Sequence, residues 1–227
     1  DLLKDLLKIK SISTIPDYTD QCYQAAGWLK TFLDSFGMDA MIYESEGHPI
    51  VYSEYQTSRP DSKTILFYGH YDVQPVDPIS LWDSDPFDPV LSSINNEPCI
   101  IARGASDDKG QLLTFLLALK YVKNEVGELP FSLKIILEGE EECGSRTLPI
   151  FLEDYKDKLS ADIAYVCDTG MWDKDTPAIT RSLRGLLSEE FKIIGPDRDL
   201  HSGEFGGVAW NPIRIITKIL SDVYDDD

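Results

Sequence analysis

The sequence predicts an α/β fold: a mostly parallel central sheet flanked by helices, then the start of a smaller α+β domain. Three observations carry that expectation. Apolar runs of strand length alternate with longer segments of helical period. Acidic and polar residues gather just after the strand-like runs, the pattern of a sheet whose site lies at its carboxyl edge. Near Arg181 the character changes to a longer, half-polar run followed by one helix-prone segment.

Leu2, Leu3, Leu6, Leu7 and Ile9 recur at helical spacing, and residues 11–16 break that pattern. Residues 18–36 read as a second helix, with Tyr23, Ala26, Leu29 and Leu33 inward and Gly37 as its stop. Residues 38–44 alternate like a strand, and residues 50–55 read as another. The run Ile65 to Tyr68 has the length and β-propensity of a buried strand, ended by Gly69. Residues 74–89 form a long loop rich in Pro and Asp, which Trp82 and Phe87 anchor. A short strand at 99–102, a buried helix at 111–122, a strand at 131–137, a helix at 147–155 and a strand at 162–166 follow. Residues 186–194 read as a strand and 210–224 as a helix, so a boundary is expected between residues 1–184 and 185–227. His48, between Gly47 and Pro49, reads as a solvent-exposed turn residue.

The 227 residues are 42% hydrophobic, enough to build a core. With 21 Lys and Arg against 40 Asp and Glu, the net charge of −19 argues against nucleic acid, whose phosphates need clustered bases. No apolar run approaches membrane-spanning length, so no membrane partner is expected. Cys22, Cys99, Cys143 and Cys167 show neither a CxxC spacing nor a small disulfide framework, which suits reduced thiols in the cytoplasm.

Polar residues cluster after four strand-like runs: His70 and Asp72; Asp107 and Asp108; Glu140, Glu141 and Glu142; and Asp168. Taken singly, each fits a cap or surface residue, and His70 fits an ordinary strand-end histidine. Brought to one crevice, the carboxylates would repel one another unless cations neutralised them. Imidazole with carboxylates is a suitable ligand set for zinc or manganese. Paired ions explain the number of acids: one carboxylate bridges, others complete each site, and a further one takes a proton from the water that attacks. His70 and Asp72, two apart in an extended backbone, suit a ligand and the group that orients it.

The motifs GHYDVQP, LWDSDPFDPV, RGASDDKGQ, EGEEECGS, CDTGMW and DLHSGEFGG together resemble a family of dinuclear-metal peptidases. That family includes carnosine dipeptidase, aminoacylase and succinyl-diaminopimelate desuccinylase. The resemblance runs in order over residues 1–224 and is greatest to the dipeptidase branch. It implies a zinc-exopeptidase-like catalytic domain and the opening of a lid or dimerisation domain. It also implies two Zn2+ or Mn2+ ions per complete site. His70 resembles the first metal ligand, Asp72 its orienting acid, and Asp107 the bridging carboxylate, before an expected cis peptide to Asp108. Glu141 matches the general base, Glu142 a metal ligand, and Asp168 the ligand sharing an ion with His70. His201 resembles the second-domain histidine that stabilises the oxyanion, often across a homodimer interface; by itself it is equally a hydrogen-bonded turn histidine.

The family's remaining metal-binding histidine and its substrate-carboxylate arginine fall beyond residue 227, which reads as a fragment or truncated form. The implied reaction is hydrolysis of the amide bond of a dipeptide. The alternatives are a deacylase of N-acyl amino acids, which the metal motifs do not separate from it, and an inactive fragment or binding module.

Overall fold

A computed structural model describes residues 1–44 and 46–224. They divide into two compact units, one from Asp1 to Ala178 and one from Ile179 onward. The first unit opens with α1 (Leu2–Leu7) and α2 (Thr19–Asp34). It continues through β1 (Asp39–Tyr43), β2 (Ile50–Tyr55) and β3 (Thr64–His70). A hairpin of β4 (Val90–Ile94) and β5 (Glu97–Ile101) precedes α3 (Lys109–Val126). Then come β6 (Ser132–Glu138), α4 (Leu148–Asp154) and β7 (Ile163–Val166).

The central sheet has the order β1-β2-β6-β3-β7. β3 runs parallel to both β6 and β7, while β2 is antiparallel to β1 and β6, so β2 alone opposes the common direction. The register pairs His70 with Glu138, and Phe67 with both Ile135 and Tyr165. Alternate residues of each strand serve opposite faces, as the two-residue period requires. On one face Val51, Phe67, Leu133, Ile135 and Leu137 pack with Leu29 and Leu33 of α2 and Leu112 and Leu116 of α3. Phe67 stacks on Phe115 of α3 at 3.8 Å between ring centroids. On the other face Ile50, Tyr52 and Ile136 pack with Phe151 of α4. Apolar burial on both faces explains why these strands read as near-continuous apolar runs.

The two-stranded β4-β5 hairpin stands apart from this sheet. Its two-residue turn places Asn95 and Asn96 at positive φ, 53° and 65°, which asparagine tolerates in tight hairpins. Two expectations need correction here. The strand near residues 99–102 belongs to the hairpin. Asp107 and Asp108 therefore do not leave a strand of the main sheet; Asp108 is the N-cap of α3 and Asp107 precedes it. Both hairpin strands carry apolar residues, yet Leu91 and Ile94 of β4 stay exposed, so apolar content there does not mark a strand of the main sheet.

The second unit contains α5 (Ser202–Phe205) and α6 (Pro212–Val223). Asn211 caps α6, its side-chain oxygen accepting the Ile213 N–H at 2.9 Å, with Pro212 following. The strand expected at residues 186–194 does not form: among the described residues that segment pairs with no other strand. A strand exists by its ladder, and β-propensity alone does not supply one.

Candidate metal centre

The site begins at the carboxyl end of β3. Gly69 lets the start of α3 approach: a Cβ there would lie 3.0 Å from Asp108 Oδ2 and 3.4 Å from Leu112 Cδ1. In that space Asp108 Oδ2 accepts the His70 backbone N–H at 3.1 Å. The Asp107–Asp108 peptide is cis. Asp107 reaches the buried imidazole, with Oδ1 3.1 Å from His70 Nε2. Asp168, just past β7, brings Oδ2 to 3.6 Å from the same nitrogen. One ligand atom from each of His70, Asp107 and Asp168 lies within 4.8 Å of the others. One imidazole nitrogen and two carboxylate oxygens at that spacing fit a divalent ion such as Zn2+ or Mn2+.

Asp72 is fully buried behind this trio. Its Oδ1 lies 3.3 Å from His70 Nδ1, and its carbonyl oxygen 3.2 Å from the same atom. The carboxylate also grips the turn after β6. Oδ1 accepts the Glu141 N–H at 3.2 Å and Oδ2 accepts the Glu142 N–H at 3.0 Å. From behind, the buried Glu140 carboxylate accepts the N–H groups of His48 at 3.0 Å and Thr147 at 2.8 Å.

The crowding of acids appears in their proton affinities. Burial first, then neighbouring carboxylates, raise Asp168, Glu141 and Glu142 above the usual range. Burial pushes Asp108 up to about 7, against the hydrogen bond and charge of His70. Burial pulls the His70 imidazole down, but Asp72, Asp108 and Asp168 together push it up to about 10. A cation relieves this kind of pocket.

The structure brings His70, Asp107 and Asp168 together, with Asp72 directly behind. Glu141 and Glu142 sit on the turn that Asp72 holds. Glu142 falls outside the group of three, its carboxylate accepting a hydrogen bond from Gln74. His201 lies in the second unit, where its Nδ1 accepts the Gly203 N–H at 3.1 Å at the start of α5.

His48 corrects a sequence expectation: it is buried, and its Nε2 lies 2.9 Å from the Ser13 carbonyl oxygen. Flanking glycine and proline suggested an open turn, but Glu140 draws that turn inward. Lys109 escaped the sequence reading altogether. It is fully buried, and its ammonium donates to the carbonyls of Ile9 at 2.7 Å and Leu6 at 3.2 Å, tying α1 to the start of α3. A signal existed: a cation at the first position of a helix opposes the macrodipole and so invites another reason.

The family model for Peptidase family M20/M25/M40 matches residues 66–215. The Cys-Gly metallodipeptidase dug1 of Schizosaccharomyces pombe is 35% identical over 175 residues, covering 76% of this chain and 36% of that protein. The Beta-Ala-His dipeptidase of Homo sapiens is 34% identical over 179 residues, covering 78% of this chain and 34% of that protein. The crystal structure of human carnosine dipeptidase 1 superposes with a TM-score of 0.72 at 26% identity, over 99% of this chain and 49% of that one. The chain thus spans between about a third and a half of these relatives' lengths. A family match across most of the sheet, both acid-bearing turns and Asp168 agrees with the geometry around His70: this chain belongs to Peptidase family M20/M25/M40.

Proposed function

We propose that this chain carries metal-binding and catalytic residues of a metal-dependent dipeptidase. The observation that carries the reading is the convergence of His70, Asp107 and Asp168 on one point, beside a turn bearing two acids. The relatives' names, Cys-Gly metallodipeptidase and Beta-Ala-His dipeptidase, support dipeptides as the substrate class. In this reading residues 1–184 form the catalytic domain and residues 185–227 open a lid or dimerisation domain of a homodimer. Its four free thiols fit a reducing compartment such as the cytoplasm.

One ion would take His70, Asp107 and Asp168, and a second would take Asp107 and Glu142. Bound Zn2+ or Mn2+ would supply Lewis acidity at the amide carbonyl and lower the pKa of water. Asp72 fixes the ring: with Nδ1–H directed to Asp72, Nε2 is left as the ligand atom. Glu141 is the general base, taking a proton from the attacking water and passing it to the leaving amine. Its carboxylate has no hydrogen-bond partner among the described residues, and burial raises its pKa, both of which suit proton transfer. In His201, Nδ1 accepts a hydrogen bond, so Nε2 carries the proton in the neutral ring. That makes Nε2 a donor suited to a developing oxyanion.

The test is metal content with stoichiometry, together with assays of a dipeptide and an N-acetyl amino acid. Bound metal with dipeptide cleavage is expected. Preference for the N-acyl substrate would reassign the enzyme as a deacylase, and absence of metal binding would overturn the reading.

A further inference from the structure

We propose that Gln74 is a positioning residue for Glu142, fixing that carboxylate for the second ion of the site. The inference rests on the reading of Glu142 as a ligand. The amide Nε2 of Gln74 donates to two atoms of Glu142, the carboxylate Oε2 at 2.8 Å and the carbonyl oxygen at 3.1 Å. Both acceptors are oxygens, so the NH2 group of the amide must face them. Glu142 is therefore held at three points: its N–H by Asp72, and its carbonyl and carboxylate by Gln74. Glu141 has its N–H held by Asp72 and its carbonyl by the Gly144 N–H at 3.1 Å, but its carboxylate accepts no hydrogen bond among the described residues. A fixed ligand beside a free base is the division of labour these adjacent acids need.

The anchor beneath Gln74 is firm. Val73 is fully buried, bridges to Ile12, and donates its N–H to the Ser11 carbonyl at 2.9 Å. The Gln74 amide itself is exposed, so it adds direction without filling the core. Its neutrality matters. A lysine here would compete with the cation for Glu142, and an acid would repel it. An amide occupies one carboxylate oxygen and leaves Oε1 available for an ion. Partners of this kind orient metal ligands and change metal affinity by about 10–100-fold when removed.

Calorimetric titration of the metal-free chain with Zn2+ tests this, comparing the parent with Gln74→Met, Gln74→Ala and Glu142→Ala. Gln74→Met keeps length without donors. Both Gln74 variants are expected to weaken the second ion by about 10–100-fold, leave the first ion unchanged and leave thermal unfolding unchanged. If Glu142→Ala weakens the second ion while the Gln74 variants bind it like the parent, the proposal fails and the reading of Glu142 stands. Equal weakening of both ions would also overturn it, since a general structural defect would then explain the loss. If Glu142→Ala alters neither ion, the reading of Glu142 falls and the proposal with it.

Discussion

Asp72 holds His70 from the side opposite the two acids. Nδ1 lies 3.3 Å from Asp72 Oδ1, while Nε2 lies 3.1 Å from Asp107. The same carboxylate anchors the backbone of Glu141 and Glu142. One buried side chain therefore sets the direction of the His70 ring and the place of the turn bearing Glu141 and Glu142. Asp72→Ala is expected to reduce metal affinity or activity by about 10–100-fold. It also strips two part-buried N–H groups of their acceptor, at about 1 kcal/mol of stability. Calorimetry and denaturant unfolding measure the two effects; a folded variant with unchanged metal affinity and activity contradicts the role.

Glu141→Gln tests the base. Its backbone remains bound to Asp72, and no hydrogen bond to its carboxylate is lost among the described residues. Metal binding should persist while turnover falls by about 10²–10⁴-fold. Turnover lost only in proportion to lost metal would mean that Glu141 and Glu142 had exchanged roles.

Gly47 tests the support behind the turn. A Cβ at this position would overlap the Glu140 carboxylate and the Thr147 hydroxyl. Gly47→Ala should destabilise the chain by about 1–3 kcal/mol, the usual cost of overpacking. It should also loosen the turn, which slowed hydrogen exchange at the Glu141 and Glu142 amides in the parent would reveal by contrast. Unchanged stability would show that Glu140 moves aside freely.

Cys22 sets a pH dependence. Burial first, then the charge of Asp72, pushes its thiol up to about 12 from 9.0. The folded state thus holds the proton more tightly than the unfolded state. That contribution is fully present below about pH 9 and is lost as pH rises toward about 12. Between these limits the parent should lose stability relative to Cys22→Ala. The folded parent should also resist alkylation at Cys22 at pH 9, and rapid labelling of the native chain would contradict its burial.

Much of the fold follows from the sequence alone. Strands at Ile50–Tyr55, Thr64–His70 and Ser132–Glu138 are apolar on both faces, and α2 and α3 carry long apolar stripes. Local periodicity suffices for such elements because burial on both sides leaves a dense apolar signal. The motifs around His70, Asp107, Glu141, Glu142 and Asp168 are equally local, each a short acidic run after an apolar one.

Tertiary structure decided the rest. It drew His48 inward through the distant Glu140, buried Lys109 against the carbonyls of Leu6 and Ile9, and set Asp107 just before α3 rather than on an end of the main sheet. It also left residues 186–194 without a ladder, because the strand they favour needs a neighbour that local sequence does not specify. The hydrogen bond from Gln74 to Glu142 joins positions 68 residues apart. Such contacts depend on how the chain closes on itself, and hydrophobic periodicity reports which face of an element is buried but not which polar groups meet there.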